Sequence, residues 1–176
     1  MLYAEIENAQ SYAELKEALE LSEKNGIDWD PEIYADKLKN IALDSLNAAV
    51  SIDELNTAWA DAMNAGAEVD DEVYVEQLKR IAIESFNAAG SISELDRAWR
   101  EAHSTGAKFD YTYYADSLMR LSEQYTICAD EAKEFEYARR SGDEAAIQAA
   151  EDNLKATIML GDASVQYGLA QEELSI

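Results

Sequence analysis

The sequence predicts an all-α protein made of tandem helical hairpins with a period of 40 residues, and three observations point there. Residues 11–50, 51–90 and 91–130 place the same residues at the same offsets. Those offsets read as helix caps, helix stripes and helix ends. No stretch shows the period-two alternation of a half-buried strand, and proline occurs once. A hairpin of this size buries too little alone, so the copies are expected to stack as a short solenoid or bundle. A helical C-terminal cap over 131–176 would complete one domain spanning 1–176.

Residues 1–10 read as the tail of a second helix. From there the first two copies share 16 of 40 positions, and all three share Ser11/Ser51/Ser91, Glu14/Glu54/Glu94, Leu15/Leu55/Leu95 and Ala18/Ala58/Ala98. Ser-x-x-Glu before an apolar residue is a capping box: the hydroxyl accepts from the N3 amide and the glutamate reaches back to the cap amide. In the second copy Leu55, Ala58, Trp59 and Ala62 form one apolar stripe, and Gly66 supplies the left-handed residue that ends a helix of about 14 residues. Trp59 and Trp99 are core residues by this position.

Asp30-Pro31-Glu32 starts the second helix, with a cap, a proline at N1 and a carboxylate at the positive end of the dipole. Trp29, just before it, fits a hydrophobic staple. The stripe Tyr34, Leu38, Ile41, Ser45 recurs as Tyr74, Leu78, Ile81, Ser85, and the helices end near Asn47-Ala-Ala and Asn87-Ala-Ala-Gly. The third copy loses the pattern after about Arg120. Beyond it, Glu131 to Arg140 reads as a helix, Ser141-Gly-Asp-Glu144 as a further capping box, and Ala145 to Leu160 as the next helix. Gly161-Asp162 is expected to open a last one.

A chain of 176 residues with 48% hydrophobic side chains can fill a core, so its acidity does not signal disorder. Thirty-seven acidic against 14 basic residues give a net charge of −23, far past the magnitude of roughly 2 to 8 that keeps a small domain soluble. Such a surface repels nucleic acid and anionic membranes and attracts proteins with basic grooves. Cys128 is the single cysteine, which excludes an internal disulfide or a thiolate metal cluster. The N-terminus has no basic, apolar leader, and no apolar run reaches the roughly 18 residues of a membrane span, so a cytoplasmic protein is expected.

Catalytic constellations lack their parts. His103 is the single histidine, so a Ser-His-Asp triad, a zinc HExxH site or a Cys-His dyad would all have to use it. At the place of Met63 in the previous copy, it reads as structural. Glu-x-x-His does not occur, and Asp28-Trp-Asp-Pro-Glu32 lacks the glycine at six and glutamate at twelve of a calcium loop. Glycines sit singly at helix ends, not in a phosphate loop. The doublet Arg139-Arg140 suits a solvated helix C-terminus. No enzyme, cofactor or metal is expected.

Carboxylates are what remains. Asp36, Glu76 and Asp116 occupy one position of the second helix in all three copies, nearly opposite Tyr34, Tyr74 and Tyr114. Glu32 and Glu72 lie one turn earlier, and Asp44, Asp70, Asp71 and Glu84 add to the first two copies. Leu43 and Ile83 fall on roughly that side, so part of it should be covered. Residues 51–90 carry nine acids against Lys79 and Arg80, an imbalance that helical i,i+4 pairing does not need.

In size, charge and helical content the chain resembles the acidic DNA-mimic inhibitors of phages and mobile elements, the anti-restriction and anti-CRISPR proteins among them. The resemblance implies occupation of a nuclease or CRISPR complex at its DNA-binding groove, with Asp and Glu standing in for phosphates, in the cytoplasm of the host cell. A different reading makes the chain a helical-repeat interaction module or assembly scaffold that holds a peptide or basic segment, with Tyr111 and Tyr113 as exposed aromatics and the acidity serving solubility. Apolar surface in residues 1–10 would permit a homodimer.

Overall fold

The computed structural model describes residues 7–27 and 30–173, with side chains described as far as Tyr167. The described residues are all-helical and contain no strand, an arrangement compatible with a helical bundle. In chain order the helices are α1 (Tyr12–Lys24), α2 (Pro31–Ala48), α3 (Ile52–Ala65), α4 (Asp71–Ala88), α5 (Ile92–Ser104) and α6 (Tyr111–Ser122). A 3-10 turn at Thr126–Cys128 then leads to α7 (Ala129–Ser141) and α8 (Glu144–Glu173). No helix among the described residues is long and apolar enough to cross a membrane. The reading of Trp29 as a staple falls outside the described residues.

The helices start where the sequence supplies caps. Ser11, Ser51 and Ser91 accept from the amides of Glu14, Glu54 and Glu94 at 3.2, 3.2 and 3.3 Å. The glutamates reach back one residue further than a simple capping box: they accept from Gln10, Val50 and Gly90 at 2.8 to 2.9 Å, not from the serine amides. Each serine is extended, near φ −140° and ψ 160°, and so carries the preceding amide over the first turn. Asp30, Asp70 and Asp110 cap α2, α4 and α6 through the amides of Glu32, Glu72 and Thr112 at 2.9, 3.0 and 2.8 Å. Each such cap is worth about 1 kcal/mol.

The chain divides into two compact units, Met1–Ala82 and Ile83–Ile176. In the first, Leu15 and Ala18 of α1, Leu38, Ile41 and Ala42 of α2, and Ala62 of α3 form a buried cluster against which Tyr12 and Tyr34 pack. In the second, Phe86, Leu95, Leu118, Leu121, Phe135 and Leu154 are fully buried. Within each unit an arginine closes a chain reversal: Arg80 Nη2 donates to the Ala49 carbonyl at 2.7 Å, and Arg120 Nη2 to that of Ala89 at 2.6 Å. Those carbonyls follow the last turns of α2 and α4, where the helix leaves its acceptors unsatisfied.

Four sequence expectations are corrected. Ser141 is the last residue of α7 and not a cap; Asp143 caps α8, accepting from Ala145 and Ala146 at 3.0 and 3.2 Å. Gly142, left-handed at φ 72°, turns the chain before the serine can serve as a start. No helix begins at Gly161-Asp162, because α8 runs unbroken from Glu144 to Glu173. Gly161 is there for space: a Cβ on it would lie 2.6 Å from Cγ of the Tyr125 ring. Trp59 and Trp99 are only half-buried, since an indole outgrows the stripe; their rings instead flank Tyr74 and Tyr114, each at 5.1 Å between centroids.

Candidate protein-binding surface

All nine carboxylates singled out by the repeat, Glu32, Asp36, Asp44, Asp70, Asp71, Glu72, Glu76, Glu84 and Asp116, are solvent-exposed. Leu43 and Ile83 beside them are half-buried. Helical geometry sets the spacing. Glu32 and Asp36, like Glu72 and Glu76, stand about 6 Å apart along the axis and 40° apart around it. Asp44 and Glu84 come about 12 Å further on and another 80° round, so the acids of α2 wrap about a third of the helix circumference and those of α4, with Asp71 100° before Glu72, about 220° of it.

They do not all carry the same free charge. Asp116 is paired with Arg139 at 3.0 Å, the arginine side chain being only 24% exposed, so its charge is largely neutralised locally. Asp70 spends one oxygen on its helix cap. Asp110, an exposed acid that caps α6, has its carboxyl held below the usual range by the Thr112 amide and, more weakly, by Arg139.

Three cations bond backbone carbonyls outside their own helices. Arg80 and Arg120 bond backbone carbonyls, and Lys37 Nζ donates to the Glu7 carbonyl at 2.6 Å. Arg139 and Arg140 do not simply face a helix end. They pair with Asp116 and, at 2.5 Å, with Glu136.

A second cluster in the second unit was not legible in sequence. Lys155 Nζ lies 2.7 Å from Glu151 and 3.2 Å from Asp96, and 4.9 Å above the Tyr114 ring. The Tyr114 hydroxyl donates to Asp96 and that of Tyr111 to Glu151. Glu151 is only 6% exposed, a buried charge that its partners must satisfy. Burial, reinforced by those carboxylate acceptors, pushes both phenols well above their usual pKa. Burial opposes the charge on Lys155, but Glu151 and Asp96 outweigh it and hold the ammonium above its usual value. These bonds make the cluster a knot joining α5, α6 and α8.

The i,i+4 spacing of Glu151 and Lys155 was a visible signal, whereas Asp96 and the tyrosines come from helices far away in the chain. The knot also corrects Tyr111, which is half-buried and engaged with Glu151; of the two tyrosines, Tyr113 is the exposed one, at 43%. In the first unit the equivalent bond is Tyr74 to Asn56, at 2.5 Å.

His103 Nδ1 lies 2.9 Å from the Trp99 carbonyl and its ring 4.2 Å from the Trp99 ring, which accounts for it as a packing residue. Cys128 is buried, and burial with the nearby Glu131 raises its thiol pKa. Among the described residues no group of three His, Cys, Asp or Glu side chains could hold a metal ion. In comparisons with family models, with curated proteins and with solved structures, nothing matches this chain.

Proposed function

We propose that this protein is an acidic inhibitor that occupies the basic groove of a nucleic-acid-binding protein, such as a host defence nuclease or CRISPR complex, with its carboxylates in the place of DNA phosphates. The observation that carries the reading is the charge itself: −23 overall, with exposed carboxylates along α2 and α4. The working surface is Glu32, Asp36, Asp44, Asp70, Asp71, Glu72, Glu76 and Glu84, and Asp116 contributes least because Arg139 covers it. No reaction step is involved and no cofactor or metal is needed. Direct binding to nucleic acid or to an anionic membrane is disfavoured by the same charge. The scaffold in this reading is the 40-residue hairpin repeat stacked as a short solenoid with residues 131–176 as its cap, acting in the cytoplasm.

The test is capture of proteins from bacterial lysate on the immobilised chain at low salt, with elution in a salt gradient. A DNA-binding target that leaves its DNA on capture, elutes early in the gradient and is lost on Glu32→Gln/Asp36→Asn/Glu72→Gln/Glu76→Gln supports it, because exposed charge pairs are screened over about 8 Å at physiological salt. A target that resists high salt and still holds DNA would refute it.

Exposed aromatics favour a second reading, a repeat module that holds a basic peptide. Tyr113 and Tyr137 are 43% and 78% exposed. Tyr113→Ala/Tyr137→Ala then abolishes partner capture, while retention of the partner excludes this version.

A further inference from the structure

The solvent face of α5 departs from its counterparts in a way that the fold does not require. At the same three offsets α1 carries Glu17, Glu20 and Glu23, α3 carries Thr57, Ala60 and Met63, and α5 carries Arg97, Arg100 and His103. All nine side chains are exposed. The same capping serine starts each helix, and Leu15, Leu55 and Leu95 are fully buried in all three, so the scaffold is served whatever the charge outside. Arg97 and Arg100 are also the arginines left over by internal bonding: Arg80 and Arg120 hold carbonyls, and Arg139 and Arg140 hold carboxylates. Arg100 donates only through Nε, to the Asp96 carbonyl of its own helix at 3.2 Å, and Arg97 has no polar partner among the described residues.

Arg100 stands over a groove between α5 and α8. Two cavities, of about 580 and 340 Å³, adjoin there, since Asp96 and Arg100 line both. Trp99, Tyr111 and Tyr114 wall the first, and Ile92, Ile158 and Met159 wall the second. From Gln148 beside the first to Asp162 beside the second α8 advances about 21 Å, the length of about six residues of extended chain. The acids of the groove are already held. Lys155 and the Tyr111 and Tyr114 hydroxyls engage Asp96 and Glu151, and the Tyr125 hydroxyl reaches Asp162 at 3.4 Å. The guanidinium of Arg100 is the charge in the groove without a counterpart.

We propose that this groove binds an extended acidic segment of a partner protein, with Arg100 and Arg97 gripping its carboxylates and the flanking apolar side chains seated in the two cavities. A planar guanidinium meets a carboxylate with two parallel hydrogen bonds, which neither Ala60 nor Glu20 could make at the same offset. Arg97 lies about 4.5 Å along the axis from Arg100 and about 60° around it, so the pair suits two adjacent acidic residues. A basic segment meets like charge here and finds its complement on α2 and α4 instead. The chain's overall −23 does not decide the matter, because at physiological salt charges beyond about 8 Å are largely screened and the two guanidiniums act at contact. The proposal stands apart from the inhibitor reading: it uses the opposite charge and lies wholly within the unit Ile83–Ile176.

Fluorescence anisotropy of labelled hexapeptides titrated with the full chain at physiological salt tests this. The probe is a fluorescein-tagged pool X-X-Glu-Glu-X-X, in which X is Leu, Phe, Met or Val, compared with matched pools carrying Gln-Gln or Lys-Lys at the centre. The acidic pool should bind saturably and about tenfold or more tighter than the Gln-Gln pool, and Arg100→Ala should weaken it about tenfold. Arg97→Ala/Arg100→Ala should bring it to the level of the Gln-Gln pool, with an unchanged circular dichroism spectrum and Tm because both side chains are exposed. Glu32→Gln/Asp36→Asn/Glu72→Gln/Glu76→Gln, which tests the inhibitor reading, should leave this binding intact. An acidic pool that binds no better than the Gln-Gln pool overturns the proposal, as does an Arg97→Ala/Arg100→Ala variant that binds it like the wild type.

Discussion

Gly161→Ala sets two opposed effects against each other at one atom. In an exposed helix interior, replacing glycine by alanine stabilises by about 1 kcal/mol, since glycine loses the most backbone freedom on folding. Gly161 lies inside α8, so propensity alone predicts a more stable protein. The added Cβ, however, would stand 2.6, 2.7 and 3.0 Å from Cγ, Cδ1 and Cβ of Tyr125. Relief is not available from a ring flip, because the 3.0 Å contact is to the tyrosine Cβ, which is fixed to the backbone ahead of the 3-10 turn at Thr126–Cys128. The backbone must yield, at a cost of roughly 1 to 3 kcal/mol for overpacking. Net destabilisation of about 1 kcal/mol follows, a fall in Tm of about 2 to 4 °C for a chain of this length.

Urea unfolding followed by circular dichroism measures it, and the decisive comparison is in a background where the ring is gone. In Tyr125→Gly, which removes the ring and its Cβ, the same Gly161→Ala change should reverse sign and stabilise by about 1 kcal/mol, giving a coupling of roughly 2 kcal/mol between the two positions. A Gly161→Ala protein more stable than wild type, or equal effects in the two backgrounds, would refute the close approach as the reason for glycine at this point.

Three further expectations use the same measurement of stability. Ser51→Ala removes the hydroxyl that accepts from Glu54 and should cost about 1 kcal/mol, whereas Ser51→Asp should retain most of the stability. Lys155→Ala leaves the nearly buried Glu151 without its ammonium and should cost about 2 to 3 kcal/mol, less than a fully buried pair because Lys155 keeps 21% exposure; a loss under about 0.5 kcal/mol would dismiss the knot as an organising feature. Tyr111 and Tyr114 bind their protons more tightly folded than unfolded, so their contribution is complete below the ordinary phenol pKa of about 10 and declines as pH rises beyond it. Absorbance at alkaline pH should show these two phenols ionising only with unfolding, and Tyr111→Phe/Tyr114→Phe should flatten that decline.

The sequence by itself determined the helices of residues 11–122, because their start signals are local. Ser51 with Glu54 and Asp70 with Glu72 lie within one turn of each other, and the bonds they form need no distant partner. It also determined that the acids of α2 and α4 face water, since 100° per residue places Asp36 and Glu76 opposite Tyr34 and Tyr74. Tertiary structure decided the rest. Gly161 read as a helix start because glycine's local meaning is a break; its actual role depends on Tyr125, 36 residues earlier. Asp116 read as one more free carboxylate until Arg139, from α7, came within 3.0 Å. Glu151 was not singled out at all, yet it is buried and bonded by Tyr111 and Lys155. In each case the deciding contact spans helices that sequence periodicity treats separately: the period says which way a side chain points, and only packing says what it meets there.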